Sequence, residues 1–344
     1  MRQIHVHTAD PYIVAIGSGA LSFAGEAVCN LTKAQKVCIV SDNTVFSLYG
    51  DRLHQCLHTA GLQVCHFTFP AGESGKSLET YSKLLQALSA EGLCRNDCIL
   101  ALGGGVTGDL AGFAAATYLR GIAYVQIPTT LLAMVDSSVG GKTGIDLPAG
   151  KNLCGAFYQP KAVLCDIDTL QTLPDSVFRD GCAEIIKYGI LYDQALFSHL
   201  EQYGPDFDRE WVISSCVQHK ADAVSQDCYD NGARKLLNLG HTVGHAIEHC
   251  SSYTVSHGQA VAIGIAAVCR GTKCADTQRI LSLLRRFTLS TATDIPPEII
   301  YAATFTDKKR QGNSVDLILP KAIGNCQIVP TSLEDFKKLL EEGL

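Results

Sequence analysis

Three histidines, His241, His245 and His249, recur at a spacing of four within residues 238–249. Side chains at that spacing share one helix face, and two imidazoles at i and i+4 can hold one zinc ion. A catalytic zinc takes three protein ligands and keeps one position open. His241 with His245 is the pair this spacing suggests. Glu184, in the segment Ala183-Glu184-Ile185-Ile186-Lys187, and His257, in Ser256-His257-Gly258, are the candidates for the third ligand. An exposed histidine face beside an ordinary Glu/Lys pair at i, i+3 has the same pattern. Three histidines, a glutamate and flanking glycines favour the metal.

Two further segments carry anion-binding chemistry. Residues 99–102 form an apolar run that enters Gly103-Gly104-Gly105-Val106-Thr107-Gly108-Asp109, and a helical stretch follows over 110–116. In a strand, glycine turn and helix, the backbone approaches a pyrophosphate closely and the helix start offers free N–H groups. A tight turn without a ligand has the same composition, and GGGxxGD is not GxGxxG. The second segment runs from Asp136 to Thr143 and on to Gly150-Lys151-Asn152. Gly141-Lys142-Thr143 resembles the end of a P-loop, but Asp136 stands where its first glycine belongs, which excludes that motif. Lys142, Lys151 and Asn152 crowded by small residues suit an anion pocket; solvated surface lysines are the bland alternative.

The elements that must position these groups alternate at first. Strands are expected over 12–16, 36–40, 64–69, 98–102 and 123–127, with helices between them, such as 77–91. Such alternation predicts an α/β domain with a mostly parallel sheet. Helical patterns dominate later, over 175–191, 210–225, 235–250 and 258–274. The expectation is a nucleotide-binding α/β domain over 1–167 and a mainly α-helical domain over 168–344. The 344 residues are 47% hydrophobic and 18% charged, which is ordinary globular composition. Net charge is -6 without a long basic run, so nucleic acid and membrane partners are not expected. The fifteen cysteines are scattered without a CxxC pair, which suggests reduced thiols acting as small apolar groups. The first 17 residues lack a signal-peptide core, and no apolar run reaches the ~18 residues of a spanning helix. A soluble cytoplasmic protein is expected.

Taken in order, GGGVTGDLAGF, IPTTLLAMVDSSVGGKTGID, GKN, AEIIKYG, LNLGHTVGHAIEH, SHG and DKK resemble the signature segments of the 3-dehydroquinate synthase family of sugar-phosphate cyclases. Each segment is weak alone; their order and spacing hold from Ile16 to about Gly324. The resemblance implies an N-terminal NAD-binding α/β domain joined to a helical metal domain, a fold shared with iron-dependent alcohol and glycerol dehydrogenases. It implies NAD+ and Zn2+ as cofactors, with Co2+ able to substitute, and a cytosolic homodimer. It puts the metal ligands at Glu184, His241 and His257, and turns His245 toward substrate phosphate. Its NAD contacts fall on Asp42, Glu73, Lys76, Gly104, Gly105, Asp109, Thr129 and Thr130, with Lys142 and Lys151 nearby. Its substrate contacts fall on Asp136, Lys142, Lys151, Asn152, Lys187, Lys220, Arg234, Asn238 and His245, and on Lys308 or Lys309. Arg120 matches an arginine that reaches the partner subunit's site.

The implied substrate is 3-deoxy-D-arabino-heptulosonate 7-phosphate. The implied reaction is transient oxidation at C5 by NAD+, loss of phosphate from C7, re-reduction, ring opening and an intramolecular aldol closure. Oxidation acidifies the C6 proton, without which phosphate cannot leave. The net change is redox-neutral, so the enzyme is a phosphorus–oxygen lyase. Three features depart from the family pattern: Asp230 replaces a glutamate, Thr44 stands where relatives can carry Asn, and the chain is slightly short. The alternatives are a cyclase that acts on sedoheptulose 7-phosphate or forms an inosose, and an oxidoreductase of the glycerol dehydrogenase type. Arg234 and Asn238 are the discriminators, because a substrate carboxylate calls for a bidentate guanidinium.

Overall fold

A computed structural model describes residues 1–304 and 314–344. The chain forms two compact units, Met1–Pro174 with Arg209–Tyr229, and Asp175–Asp208 with Asp230–Leu344. The expected alternation appears in the first. Its strands are β1 (Arg2–Val6), β2 (Tyr12–Gly17), β3 (Lys36–Asp42), β4 (Gln63–Phe69), β5 (Cys98–Gly103), β6 (Ala123–Pro128), β7 (Lys142–Leu147), β8 (Gly150–Phe157) and β9 (Ala162–Asp166). Seven make one sheet in the order β1-β2-β9-β6-β5-β3-β4. All its pairings are parallel except β1 with β2.

Alternate residues of the central strands face opposite layers. Val37 and Ile39 of β3, with Leu100 and Leu102 of β5, pack against α1 (Ala24–Leu31) and α2 (Asn43–Thr59). Cys38, Val40, Ile99 and Ala101 face α3 (Leu78–Ala90) and α4 (Gly105–Thr117). Strands buried on both faces must be apolar there, and the runs Val37–Val40 and Cys98–Leu102 are. Each such Leu or Ile contributes roughly 1.5–3 kcal/mol by leaving water.

β3 pairs with β4 on one side and β5 on the other. The strand order therefore reverses between β3 and β5. Ligands of open parallel sheets bind outside the carboxyl ends of the strands at such a reversal. β7 and β8 pair with each other as an antiparallel hairpin, two strands beyond those expected from the sequence. The hairpin lies against α4. Gly112 permits this, since a Cβ there would sit 2.5 Å from the Thr143 side chain.

The chain continues through α5 (Asp175–Tyr192), α6 (Gln194–Tyr203) and α7 (Arg209–Gln226). α7 lies against β1 and β2, within the first unit, although the sequence placed it among the later helices. The second unit adds α8 (His241–Cys250), α9 (His257–Gly271), α10 (Thr277–Arg286), α11 (Pro297–Thr304), the hairpin β10 (Ser314–Ala322) with β11 (Asn325–Ser332), and α12 (Leu333–Gly343). Val243, Ile247, Ala260, Ile263, Ala267 and Phe336 are among the apolar residues of its core. The continuous helix expected over 235–250 is interrupted. A 3-10 turn spans Ala233–Asn238, and Gly240 at φ 76 breaks it from α8. This left-handed residue makes His241 the first residue of a new helix.

Candidate functional site

In the second unit, a buried carboxylate meets two imidazoles. Glu184 lies on α5, where every residue from Gly181 to Leu191 is buried. His241 opens α8 and His257 opens α9. Their Nε2 atoms lie 3.4 Å and 3.3 Å from the same oxygen, Glu184 Oε1. One ligand atom of each residue falls within 4.8 Å of the other two. Zn–N and Zn–O bonds of about 2.0–2.2 Å in a tetrahedron place ligand atoms roughly 3.3–3.5 Å apart. The two N···O separations match that edge. Neither Glu184 oxygen has a hydrogen bond of good geometry; Lys187 pairs with Oε2, and a metal ion would satisfy Oε1, the oxygen both imidazoles face. One oxygen and two imidazole nitrogens are also the donor set that zinc accepts. The residues fit the metal.

The same trio is prepared electrostatically. Burial pushes the Glu184 carboxyl up, but the Lys187 ammonium beside it and His241 outweigh that and hold it well below the usual range. Lys187 sits one turn on from Glu184, equally buried, and its ammonium touches Oε2. Burial lowers His241, to about 4. Burial also lowers His257, but hydrogen bonding to Glu184 and Glu248 overrides it and raises this imidazole to about 10. His241 Nδ1 is 3.0 Å from the Leu239 carbonyl. A carbonyl only accepts, so Nδ1 carries the proton and Nε2 keeps its lone pair.

The sequence reading missed Asp180, which joins two of these helices. It lies one turn before Glu184 on α5. Its Oδ1 accepts the Gly258 amide at 2.7 Å and the Gln259 amide at 3.3 Å, and also the Ser256 hydroxyl. It therefore caps α9 from another helix and fixes where His257 begins. No local pattern announces this, because the cap is 78 residues away. His245 stands near the trio, its ring 5.4 Å from His241 and 6.2 Å from His257. His249 is exposed at the end of α8. Arg234 is buried, and the Asn238 amide donates to the Lys235 carbonyl at 3.1 Å. Asp230 takes a left-handed φ of 59, which Asp tolerates better than most longer side chains.

In the first unit, the predicted nucleotide residues gather at the carboxyl end of the sheet. Asp42 ends β3, Gly104 and Gly105 follow β5, Glu73 and Lys76 follow β4, and Thr129 and Thr130 follow β6. Gly104 is the N-cap of α4 without a side-chain cap, which leaves that helix start open to an anion. A Cβ at Gly103 would lie 2.4 Å from Thr107 Oγ1, so the turn needs glycine there. Asp42 also caps α2: its Oδ1 accepts the Thr44 and Val45 amides at 2.9 Å and 3.0 Å. Oδ2 takes no part in that cap. Lys76 is nearly buried and pairs with Asp109 at 2.9 Å, Glu73 at 3.5 Å and Asp146 at 3.9 Å. Asp146, absent from the sequence reading, closes this cluster and accepts the Asn152 amide at 2.8 Å.

Asp136 sits in a π-helical turn, Ala133–Ser137. Such turns concentrate at functional sites. Lys142 opens β7 and is exposed, while Lys151 and Asn152 lie on β8, Asn152 at φ 54. Arg120 is exposed after Leu119, both in left-handed conformations at the end of α4. Lys308 and Lys309 lie outside the described residues.

Comparison with known proteins gives a consistent result. Residues 66–180 match the family model of the 3-dehydroquinate synthase N-terminal domain, and residues 181–310 match that of its C-terminal domain. The 3-dehydroquinate synthase of Pelobacter propionicus is 44% identical, over 95% of each chain. That of Streptococcus sanguinis is 41% identical, over 96% of this chain and 97% of its own. A solved 2-deoxy-scyllo-inosose synthase, complexed with carbaglucose-6-phosphate, NAD+ and Co2+, superposes with a TM-score of 0.89 at 25% identity over the whole of both chains. The 2-epi-5-epi-valiolone synthase of Streptomyces hygroscopicus, with NAD+ and Zn2+ bound, gives 0.88 at 28% identity over 99% of this chain and 98% of its own. A glycerol dehydrogenase of Schizosaccharomyces pombe, at 15% identity and 0.68 over 95% of this chain and 87% of its own, shares the fold. Matched in both its halves by the family models, and about four-tenths identical to members along nearly its full length, the chain belongs to the 3-dehydroquinate synthase family.

Proposed function

We propose that this chain converts 3-deoxy-D-arabino-heptulosonate 7-phosphate to 3-dehydroquinate and phosphate, using NAD+ and a divalent metal. The observation that carries the reading is the meeting of Glu184, His241 and His257, an oxygen and two nitrogens at zinc-ligand spacing. When bound, NAD+ supplies a hydride acceptor and donor, and the metal supplies a Lewis acid at the sugar oxygens.

The remaining work falls to side chains. Glu184, His241 and His257 hold the ion and leave a coordination position for substrate. The Lys187 ammonium, held against Glu184, stabilises negative charge developing on the oxidised carbon's oxygen. In the first unit, Lys142 supplies a further cation for the reacting substrate, and Asp136, fixed by Lys220, orients a sugar hydroxyl. Arg234 takes the substrate carboxylate in a bidentate pair, with Asn238 beside it. Phosphate-binding roles fall to Lys151 and Asn152 in the first unit and to His245 with a lysine of the 308–309 pair in the second. Holding an extended substrate by both ends aligns it for loss of phosphate and for ring closure.

Asp42, Glu73, Lys76, Asp109, Thr129 and Thr130 take the nucleotide at the reversal of strand order, with its pyrophosphate at the start of α4. Gathering of these residues at the carboxyl end of one sheet supports that reading. Homodimeric assembly, with Arg120 offered to a partner, and cytoplasmic residence belong to the same reading. Among the described residues, no helix is long and apolar enough to cross a membrane.

Phosphate release from the heptulosonate phosphate, with NAD+ and Zn2+ present, is the test, with sedoheptulose 7-phosphate assayed alongside. Release from the acid substrate alone, without net NADH, supports dehydroquinate synthesis. Release from sedoheptulose 7-phosphate alone would move the chain to the other cyclases and leave the buried Arg234 without its carboxylate.

A further inference from the structure

His257 is engaged at both ring nitrogens by different carboxylates. Nε2 faces Glu184 Oε1 at 3.3 Å, and Nδ1 faces Glu248 Oε2 at 3.5 Å. Glu248 is buried in the last turn of α8, the helix that His241 begins. We infer that Glu248 is a positioning residue for the metal centre: its carboxylate accepts the Nδ1 proton of His257 and leaves the Nε2 lone pair for the ion. A 3.5 Å separation is long for a hydrogen bond, and a shift of a few tenths of an ångström brings it into range. A carboxylate at neutral pH only accepts, so when an ion takes the place of the proton between Nε2 and Glu184, the proton that stays on the ring is the one on Nδ1 facing Glu248. His241 gets the same service from the Leu239 carbonyl. Glu248 differs because its negative charge also makes the imidazole a stronger donor.

Glu248 has a competing role. His245, Glu248 and His257 also place ligand atoms within 4.8 Å of one another. That set shares His257 with the first and would use Nδ1 as a ligand, which is incompatible with a proton there. The two roles predict different stoichiometries.

The inference rests on the proposed metal centre, and the experiment separates the two. Wild-type protein, Glu248→Gln and Glu248→Ala are freed of metal by chelator, checked for folding by circular dichroism, and titrated with Zn2+ against a competing chelator. Imidazole tautomers are read from 15N chemical shifts of the zinc-loaded forms. One zinc per wild-type chain is expected, with His257 protonated at Nδ1. Glu248→Ala should weaken zinc by on the order of 10–100-fold, and Glu248→Gln less, because its amide oxygen still accepts. Equal affinity in folded wild type and Glu248→Ala would overturn the inference while leaving the metal centre standing. Two zinc ions per wild-type chain would overturn it too, making Glu248 a ligand. Absence of zinc binding in the wild type would remove the metal centre itself.

Discussion

Lys220 Nζ lies 2.9 Å from Asp136 Oδ1, and the same ammonium also meets the Asp136 backbone carbonyl. One side chain from α7 thus fixes both ends of a residue in a π-helical turn. Lys220 is buried, while about a quarter of the Asp136 side chain is exposed. Removing Lys220 takes one cation away from a partly buried carboxylate. Lys220→Met should cost about 2–3 kcal/mol, below the range for a fully buried pair because solvent screens Asp136. Urea unfolding followed by circular dichroism reads this as a lower midpoint. Lys220→Arg should recover part of the loss. An unchanged midpoint in Lys220→Met would mean that the pair positions Asp136 without stabilising the fold.

Lys142 opens a hairpin strand and is exposed, so its side chain has little packing to lose. Lys142→Ala should change stability by no more than about 0.5 kcal/mol, as at most exposed positions, and lower turnover at least ~100-fold, as loss of a charge stabiliser does. NAD+ binding, followed by quenching of protein fluorescence, should survive. Loss of nucleotide binding in this variant would contradict the assignment of Lys142 to the reacting end of the substrate.

Acid should unfold the chelator-treated protein through His241. Burial holds this imidazole neutral, with a folded value of about 4 against 6.5 in the unfolded chain. Between those values the unfolded state binds the extra proton, so stability falls as pH falls from 6.5 to 4. The most this group can contribute is about 3 kcal/mol. His257 works in the other direction and at another pH. Its folded value is raised to about 10, so its contribution is complete below 6.5 and adds no slope there. Glu184, held low, adds to the loss only as pH drops past the ordinary carboxylate range. Urea midpoints across pH 7–4 should therefore slope for wild type and flatten for His241→Gln. A parallel slope in both would place the acid-sensitive group elsewhere.

How much of this was legible in sequence depended on range. β3, β5 and β6 showed as apolar runs because both of their faces are buried, and a Cβ at Gly103 would strike Thr107, which is why glycine marks the turn there; the turn is shorter than the expected 103–109, since α4 already begins at Gly105. The β7–β8 hairpin is absent from the expected strands, since its glycines and lysines carry no alternating pattern. Spacing along one helix pointed to His241 with His245. The structure brings His257 and Glu184 to His241 from two other helices, through contacts that no period encodes. The resemblance in ordered motifs named that trio, whereas local reasoning left it open. Asp180 and Glu248 escaped both, because each acts through a partner on another helix. The Gly240 break was likewise unread: helix propensity alone carries 235–250 through it, and only φ 76 at Gly240 shows that His241 starts anew.

Gly258 of α9 packs directly on the α5 backbone at Asp180, and it tests whether that approach sets the metal centre. A Cβ there would lie 2.1 Å from the Asp180 backbone oxygen and 2.7 Å from its carbonyl carbon. Backbone cannot rotate away as a side-chain tip can, so Gly258→Ala must push the helices apart. Overpacking of this kind costs about 1–3 kcal/mol. The displacement also pulls the Gly258 amide from Asp180 Oδ1, and loss of a cap costs about 1 kcal/mol more. Both effects act one residue from His257 and one turn from Glu184, so two zinc ligands separate together. Gly258→Ala should therefore lower the urea midpoint and weaken zinc at the same time. Asp180→Ala removes the cap without the clash and should give a smaller loss of both. If Gly258→Ala lost stability but kept wild-type zinc affinity, the α5–α9 approach would be a packing feature only, and the ligands would be held by the helix cores instead.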